Sequence, residues 1–150
     1  MTRRAAFFIC AIVATLIVVG FAFFWQSLTE SERVQTILVD GHPIRAMVVD
    51  TPLARAQGLS GRDSLGKNEG MLFVFSAEDR YGIWMKDMRF PIDILWISRD
   101  MQVIHVKKNV SPESYPNVFY PPQAAWYVLE LQAGFADGHA IQVGSLLRLK

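Results

Sequence analysis

The sequence predicts a mainly β domain, either a β-sandwich or a partly closed barrel, with one short helix and a transmembrane helix before it. Three observations predict this. One long apolar segment without a charge stands near the N-terminus, and short apolar or alternating runs recur at roughly even spacing after it. Turn-forming residues separate those runs. At 150 residues there is room for one ordinary domain. A formal charge of +1 and a pI near 7.9 give no sign of a nucleic-acid or strongly anionic partner.

The apolar segment "AAFFICAIVATLIVVGFAFFW" runs from Ala5 to Trp25. As a helix rising about 1.5 Å per residue, it matches the roughly 30 Å hydrocarbon core of a bilayer. A domain this small could not cover a helix that is apolar all round, so a buried core helix fits poorly. A cleaved signal peptide has a shorter apolar stretch and ends in small residues. Here Gly20-Phe21-Ala22 is followed by bulky Phe23-Phe24-Trp25, and an uncleaved signal anchor fits better. Arg3 and Arg4 precede the span and "TESE" follows it, which leaves the N-terminus cytoplasmic. The expected organisation is a cytoplasmic end at 1–4, the anchor at 5–25, a tether at 26–33 and an extracytoplasmic domain at 34–150. The location that follows is the cytoplasmic membrane, single-pass, with the domain in the periplasm of a Gram-negative host. The single cysteine, Cys10, falls inside the span, so the domain has no disulfide or thiol nucleophile.

Each later element has a local reason. "VQTILVDGHPIRAMVVD" reads as two strands around Asp40-Gly41, a hairpin signal. In "TPLARAQGL", Thr51 is placed as N-cap, Pro52 at the first helical position and Gly58 as the stop of a helix of barely two turns. The glycine-spotted loop "SGRDSLGKNEG" leads into "MLFVF", a short fully apolar strand. "IWMKDM", "IDILWIS" and "QVIHVKKNV" are spaced as a meander, with Ser98-Arg99-Asp100 as a turn. A proline-rich loop, "SPESYPNVFYPPQ", precedes the strand "AAWYVLEL". "QAGFADGHA" is a turn or single helical turn, and "IQVGSLLRLK" closes the chain as a strand.

The motifs "RAQGLSGR", "GMLFVF", "WMKDMRFPIDILWI", "VLELQAG" and "GHAIQVGS" resemble those of the domain-of-unknown-function family numbered 192. The resemblance covers roughly Ile44 to Leu149, with the motifs in order. It implies a compact, mainly β, jelly-roll-like domain and implies little about activity. Trp84, Met85, Lys86, Pro91, Asp93, Glu130 and Gly134 match the family pattern, whereas Asp87 stands where an amide is common and Ile83 where an aromatic is.

Two carboxylates lie within apolar strands. Side chains alternate across a strand, so Asp93 shares a face with Leu95 and Ile97, and Glu130 with Trp126 and Val128. A buried charge is costly unless paired or hydrogen-bonded. For Asp93 the expected partner is a cation from Lys86, Arg55 or Arg62, or else backbone N–H groups that pin the Phe90-Pro91 corner. The sharper alternative makes Asp93 a pocket residue that orients a cationic group toward a ligand. Glu130 is either an arginine's structural partner or, with Asp93, half of an acid–base pair for hydrolysis. Arg62 ends "GLSGR", a loop that either holds an anion or simply leaves the helix. It stands where a nucleophile elbow needs glycine, so Ser60 is not a nucleophile candidate. His42, His105 and His139 are scattered singly, and no metal motif, cofactor fingerprint or phosphate loop is present. Trp84 belongs to a rich aromatic set, and Tyr115, Phe119 and Tyr120 form either a groove wall or a lid on one end of the domain.

The expected function is a membrane-anchored binding or accessory module, with Arg62, Trp84, Lys86, Asp93 and Glu130 as candidate ligand-binding residues. Its partner would be a small anionic or saccharide ligand, or a protein, with no metal, cofactor or nucleic acid. Two rivals stand beside it. One is a hydrolase acting on an envelope substrate through Asp93 and Glu130, and the other is an interaction subunit of a membrane complex.

Overall fold

The computed structural model describes residues 33–150. The expected N-terminal end, anchor and tether up to residue 32 lie outside the described residues. Arg33, read as the last tether residue, instead opens the first strand. Among the described residues no helix is long and apolar enough to cross a membrane.

The chain forms β1 (Arg33–Val39), β2 (His42–Val49), α1 (Pro52–Gln57), β3 (Glu69–Asp79), β4 (Ile83–Trp84), β5 (Ile92–Ile97), β6 (Val103–Val110), β7 (Val118–Phe119), β8 (Ala125–Gln132), α2 (Phe135–Gly138) and β9 (Leu147–Leu149). Seven strands make one sheet in the order β6-β5-β8-β3-β2-β1-β9, and β4 pairs with β7 in a separate ribbon. The domain is therefore mainly β, with a single curled sheet where a jelly roll would have two stacked ones. The curl nearly closes the sheet. A bridge between Gln102 and Leu146 joins the segments beside its two edge strands. The Val103 N–H donates to Ser145 O at 2.9 Å and the Leu147 N–H to Met101 O at 2.8 Å.

Local chemistry accounts for the elements. Asp40 (φ 47°) and Gly41 (φ 86°) both have positive φ in the two-residue turn between β1 and β2, as a tight hairpin requires. Thr51 Oγ1 accepts the Ala54 N–H, Pro52 takes the first turn of α1, and Gly58 (φ 51°) ends it. This helix carries the chain over to β3, which then runs parallel to β2. Only Ile83–Trp84 of "IWMKDM" is strand, and it pairs with Val118–Phe119 inside the expected proline-rich loop.

Both faces of the sheet are covered. One face gathers Ile37, Ile44, Leu95, Ile97, Leu129 and Leu131 with Phe135 and Ala136 of α2. The other packs Met71, Phe73, Ile94, Trp96 and Val128 under Leu59, Ile83 and Met85. Central strands buried on two sides read as continuous apolar runs, which is why "MLFVF" and "IDILWIS" do not alternate with polar residues.

Candidate functional site: a carboxyl-floored cavity

Strands β5 and β8 lie side by side, with Asp93 opposite Leu131 and Ile94 opposite Glu130. The two carboxyl groups are thus sequence neighbours across the ladder but point to opposite faces of the sheet.

Asp93 enters the Leu95 and Ile97 face and is fully buried. Its Oδ1 accepts the Asn109 N–H and its Oδ2 the Ala136 N–H, both at 2.8 Å. Both donors come from irregular backbone. Asn109 has φ 52° where the β5–β6 register shifts, and Ala136 lies in the first turn of α2, whose N-cap, Gly134, has no side chain to offer. Asp93 supplies the missing cap from across the fold. The expected ion pair with Lys86, Arg55 or Arg62 is replaced by these two N–H bonds. Those three cations belong to segments around α1 and β4, which cover the other face, so alternation keeps them from Asp93. With both oxygens engaged in the core, Asp93 also falls outside any open ligand site.

Glu130 points the other way, toward the layer formed by α1, the 58–61 loop and the β4 segment. It forms part of the wall of a cavity of about 240 Å³ beneath that layer. The residue is 5 % exposed, and among the described residues it has no hydrogen-bond or ion-pair partner. No fully enclosed polar side-chain atom among the described residues lacks a partner, so this carboxyl group meets the cavity. Burial alone pushes its pKa up to about 8, which makes it a neutral acid at neutral pH.

Four aromatic rings stand in the walls. Phe75 and Tyr81 stack with centroids 3.4 Å apart and planes within 8°, and Trp84, Phe73 and Met88 complete the apolar lining. The polar residues beside them are already engaged. Arg55 donates to the carbonyls of Asp50 and Val74 and lies over the Phe75 ring. Gln57 Nε2 donates to Ser60 O, Ser60 Oγ to Lys86 O, and Tyr81 OH to Ala77 O. Burial chiefly, with nearby Asp79, raises the Tyr81 pKa, so the phenol keeps its proton.

Of the five residues expected at a site, Trp84 and Glu130 meet at this cavity. Lys86 is exposed and serves through its backbone, since its carbonyl accepts from Ser60 and the neighbouring Asp87 carbonyl accepts the Gly61 N–H at 2.9 Å. Arg62 lines a different cavity with Arg45, Met47 and Glu69, and Asp93 is on the far face. Phe75, Tyr81, Met88 and the aromatic-facing role of Arg55 were missed. The available signal was Tyr81-Gly82-Ile83-Trp84, in which a glycine follows one large ring and stands two residues before another. Gly82 leaves room there for Tyr120 and Val118, whose atoms would lie 2.5 and 2.6 Å from an added Cβ. Tyr115 lies edge-on to Trp84 at 6.3 Å, which brings the proline-rich loop beside the same ring. Two histidines expected to stand apart, His42 and His139, touch at 4.4 Å, but no group of three potential metal ligands occurs among the described residues. His105 packs near Trp96 on edge strand β6, and its pKa is lowered by burial and then by Lys107.

Two solved structures share the fold. A protein of Sinorhizobium meliloti 1021, described as a "putative transcription regulator", is 27% identical with a TM-score of 0.76, over 79% of this chain and 95% of its own. A protein of unknown function from Novosphingobium aromaticivorans DSM 12444 is 26% identical with a TM-score of 0.75, over 80% of this chain and 88% of its own. No functionally curated protein matches the sequence. The family DUF192, described as "Uncharacterized ACR", matches residues 35–149 and so extends the resemblance seen in the motifs into β1. With that match spanning most of its length, the chain belongs to the DUF192 family.

Proposed function

We propose that this protein is a binding module for a small ligand, held at the outer face of the cytoplasmic membrane by its N-terminal segment. The observation that carries the binding reading is Glu130. A carboxyl group that is nine-tenths buried and partnerless is costly to the fold, and a ligand that satisfies it would recover that cost. Its cavity is small and combines apolar and aromatic side chains with a few placed polar groups, as small-molecule sites do. The anchor rests on the uncharged Ala5–Trp25 run and its flanking charges. A hydrolase built on Asp93 and Glu130 has no support in the geometry, because the sheet separates the two carboxyl groups. The test is thermal melting of the full-length protein in detergent against saccharides, short peptides, small amines and small acids. A ligand of the cavity should raise the melting temperature of the wild type and not of Trp84→Ala, whose side chain is half exposed and so adds little to the core. If no compound of any class gives a Trp84-dependent shift, the binding reading fails.

A further inference from the structure

We infer that the cavity selects a compact organic cation, a primary amine on a ring-sized apolar body, which binds as the ammonium ion against the carboxylate of Glu130. The inference rests on the binding reading above and names the ligand class for the same site.

The argument starts from which polar groups remain unsatisfied. Gln57, Ser60 and Tyr81 each donate to a protein carbonyl, and Arg55 donates to two. The group left without a partner among the described residues is an acid. A ligand anion would accept from the protonated acid but would oppose its ionisation, and the Arg55 guanidinium is already held by two carbonyls and the Phe75 ring. A neutral hydroxyl would satisfy it but gain nothing from its capacity to ionise. An ammonium group does both, because a charge-assisted N–H···O bond in a desolvated site is about twice as strong as a neutral one. The rest of the lining points the same way. Phe73, Tyr81 and Trp84 line the cavity with π systems, which attract a cation within about 6 Å, more so where water is excluded, while the Phe75 ring is already taken by Tyr81 and Arg55. The thioether of Met88 adds polarisable surface.

The protonation balance makes this measurable. Arg55 from α1 and Tyr81 from the segment after β3 are the other titratable groups of the cavity, and the flanking strands face Glu130 with Met71 and Ile94. Without ligand, burial holds Glu130 neutral up to about pH 8. The amine arrives already charged, so forming the pair requires that Glu130 lose its proton to solvent. Binding at pH 7 should therefore release close to one proton. Affinity should rise as pH approaches 8 and level off above it, roughly tenfold per pH unit on the rising limb.

The experiment is titration calorimetry of the full-length protein in detergent with three probes of one shape: benzylamine, benzyl alcohol and benzoate. Running each in two buffers of different protonation enthalpy counts the protons exchanged. Benzylamine should bind at least tenfold more tightly than either analogue and release about one proton at pH 7. In Glu130→Gln, a neutral isostere, the preference should collapse and the proton release vanish. Should that variant fail to fold, the wild-type proton count still decides. Equal affinity for benzyl alcohol, preference for benzoate, or amine binding without proton release would overturn the inference. If benzylamine does not bind while a saccharide or peptide gives a Trp84-dependent shift, the cation inference falls and the binding module stands. If nothing binds, both fall.

Discussion

Burying Glu130 without a partner links folding to pH, and the sign follows from which state holds the proton. The folded carboxyl keeps its proton up to about pH 8, whereas the unfolded one loses it near its ordinary value of 4.5. Between those values the folded state binds the extra proton, so stability falls as pH rises and levels off above about 8. Glu130→Gln has no proton to lose. Denaturant melts at pH 5 and pH 8 should show the variant gaining on the wild type by on the order of 3–5 kcal/mol as pH rises; parallel behaviour at both pH values would mean that Glu130 is solvated or paired. Asp93 is a contrasting case, because it is buried with both oxygens engaged. Asp93→Asn keeps the shape but turns an NH₂ toward a backbone N–H, stranding one donor and weakening the other bond. The expected loss is about 2–4 kcal/mol, and a loss below about 1 kcal/mol in the same melts would contradict the double-acceptor geometry. The apolar neighbours on both sides of Asp93 in "IDILWIS" and of Glu130 in "WYVLEL" made both burials legible in the sequence. That backbone N–H groups serve Asp93 was one of the two readings the sequence left open. Which ones was not legible, because they are aimed from Asn109 by a register shift and from Ala136 by the start of α2 rather than from the Phe90-Pro91 corner. Neither feature leaves a mark in the sequence around Asp93.

At the scale of elements, strong local chemistry was readable and weak pairing was not. The β1–β2 turn and both ends of α1 follow from Asp40-Gly41, Thr51-Pro52 and Gly58, each of which acts on its own few residues. The β4–β7 ribbon has two residues per strand, too few for any periodicity, and half of it lies in a segment whose prolines argue for a loop. What permits the ribbon is Gly82. An added methyl there would sit 2.5 Å from a Tyr120 ring carbon and 2.6 Å from a Val118 methyl, far inside normal contact. Gly82→Ala should therefore push β7 and its loop away from β4, at a cost of about 1–3 kcal/mol. Because Gly82 and Trp84 also line the cavity, the same variant should weaken ligand binding by more than its stability loss alone explains. Unchanged melting would show that the ribbon gives way freely and does not shape the site.

At the scale of the whole molecule, a partly closed barrel and a two-sheet sandwich are both built from short apolar strands. The pattern left both open, and the curled sheet fits the barrel. What distinguishes them is strand order. The parallel β2–β3 pair and the joining of the segments beside β6 and β9 depend on contacts between distant parts of the chain. The cavity shows the same limit, since Trp84, Glu130 and Arg55 come from three separate segments that meet when α1 and β4 cover the sheet. The proposed anchor is the opposite case, since it rests on one continuous run of sequence. Ala5–Trp25 is long enough to span a bilayer as a helix, carries no charge, and has arginines on one side and glutamates on the other. The full-length chain should therefore sediment with the membrane fraction, resist extraction by high salt and alkali, and dissolve in detergent. Its N-terminus, read by mass spectrometry of the purified protein, should lie at or near Met1. A protease added outside spheroplasts should digest the domain, because the proposed orientation keeps the arginine side of the span in the cytoplasm. A soluble form beginning near Phe23 would mean that the segment is removed as a signal peptide and that the domain works free of the membrane. Protection from the external protease in intact spheroplasts, with the chain still in the membrane fraction, would reverse the orientation and put the Glu130 cavity on the cytoplasmic side.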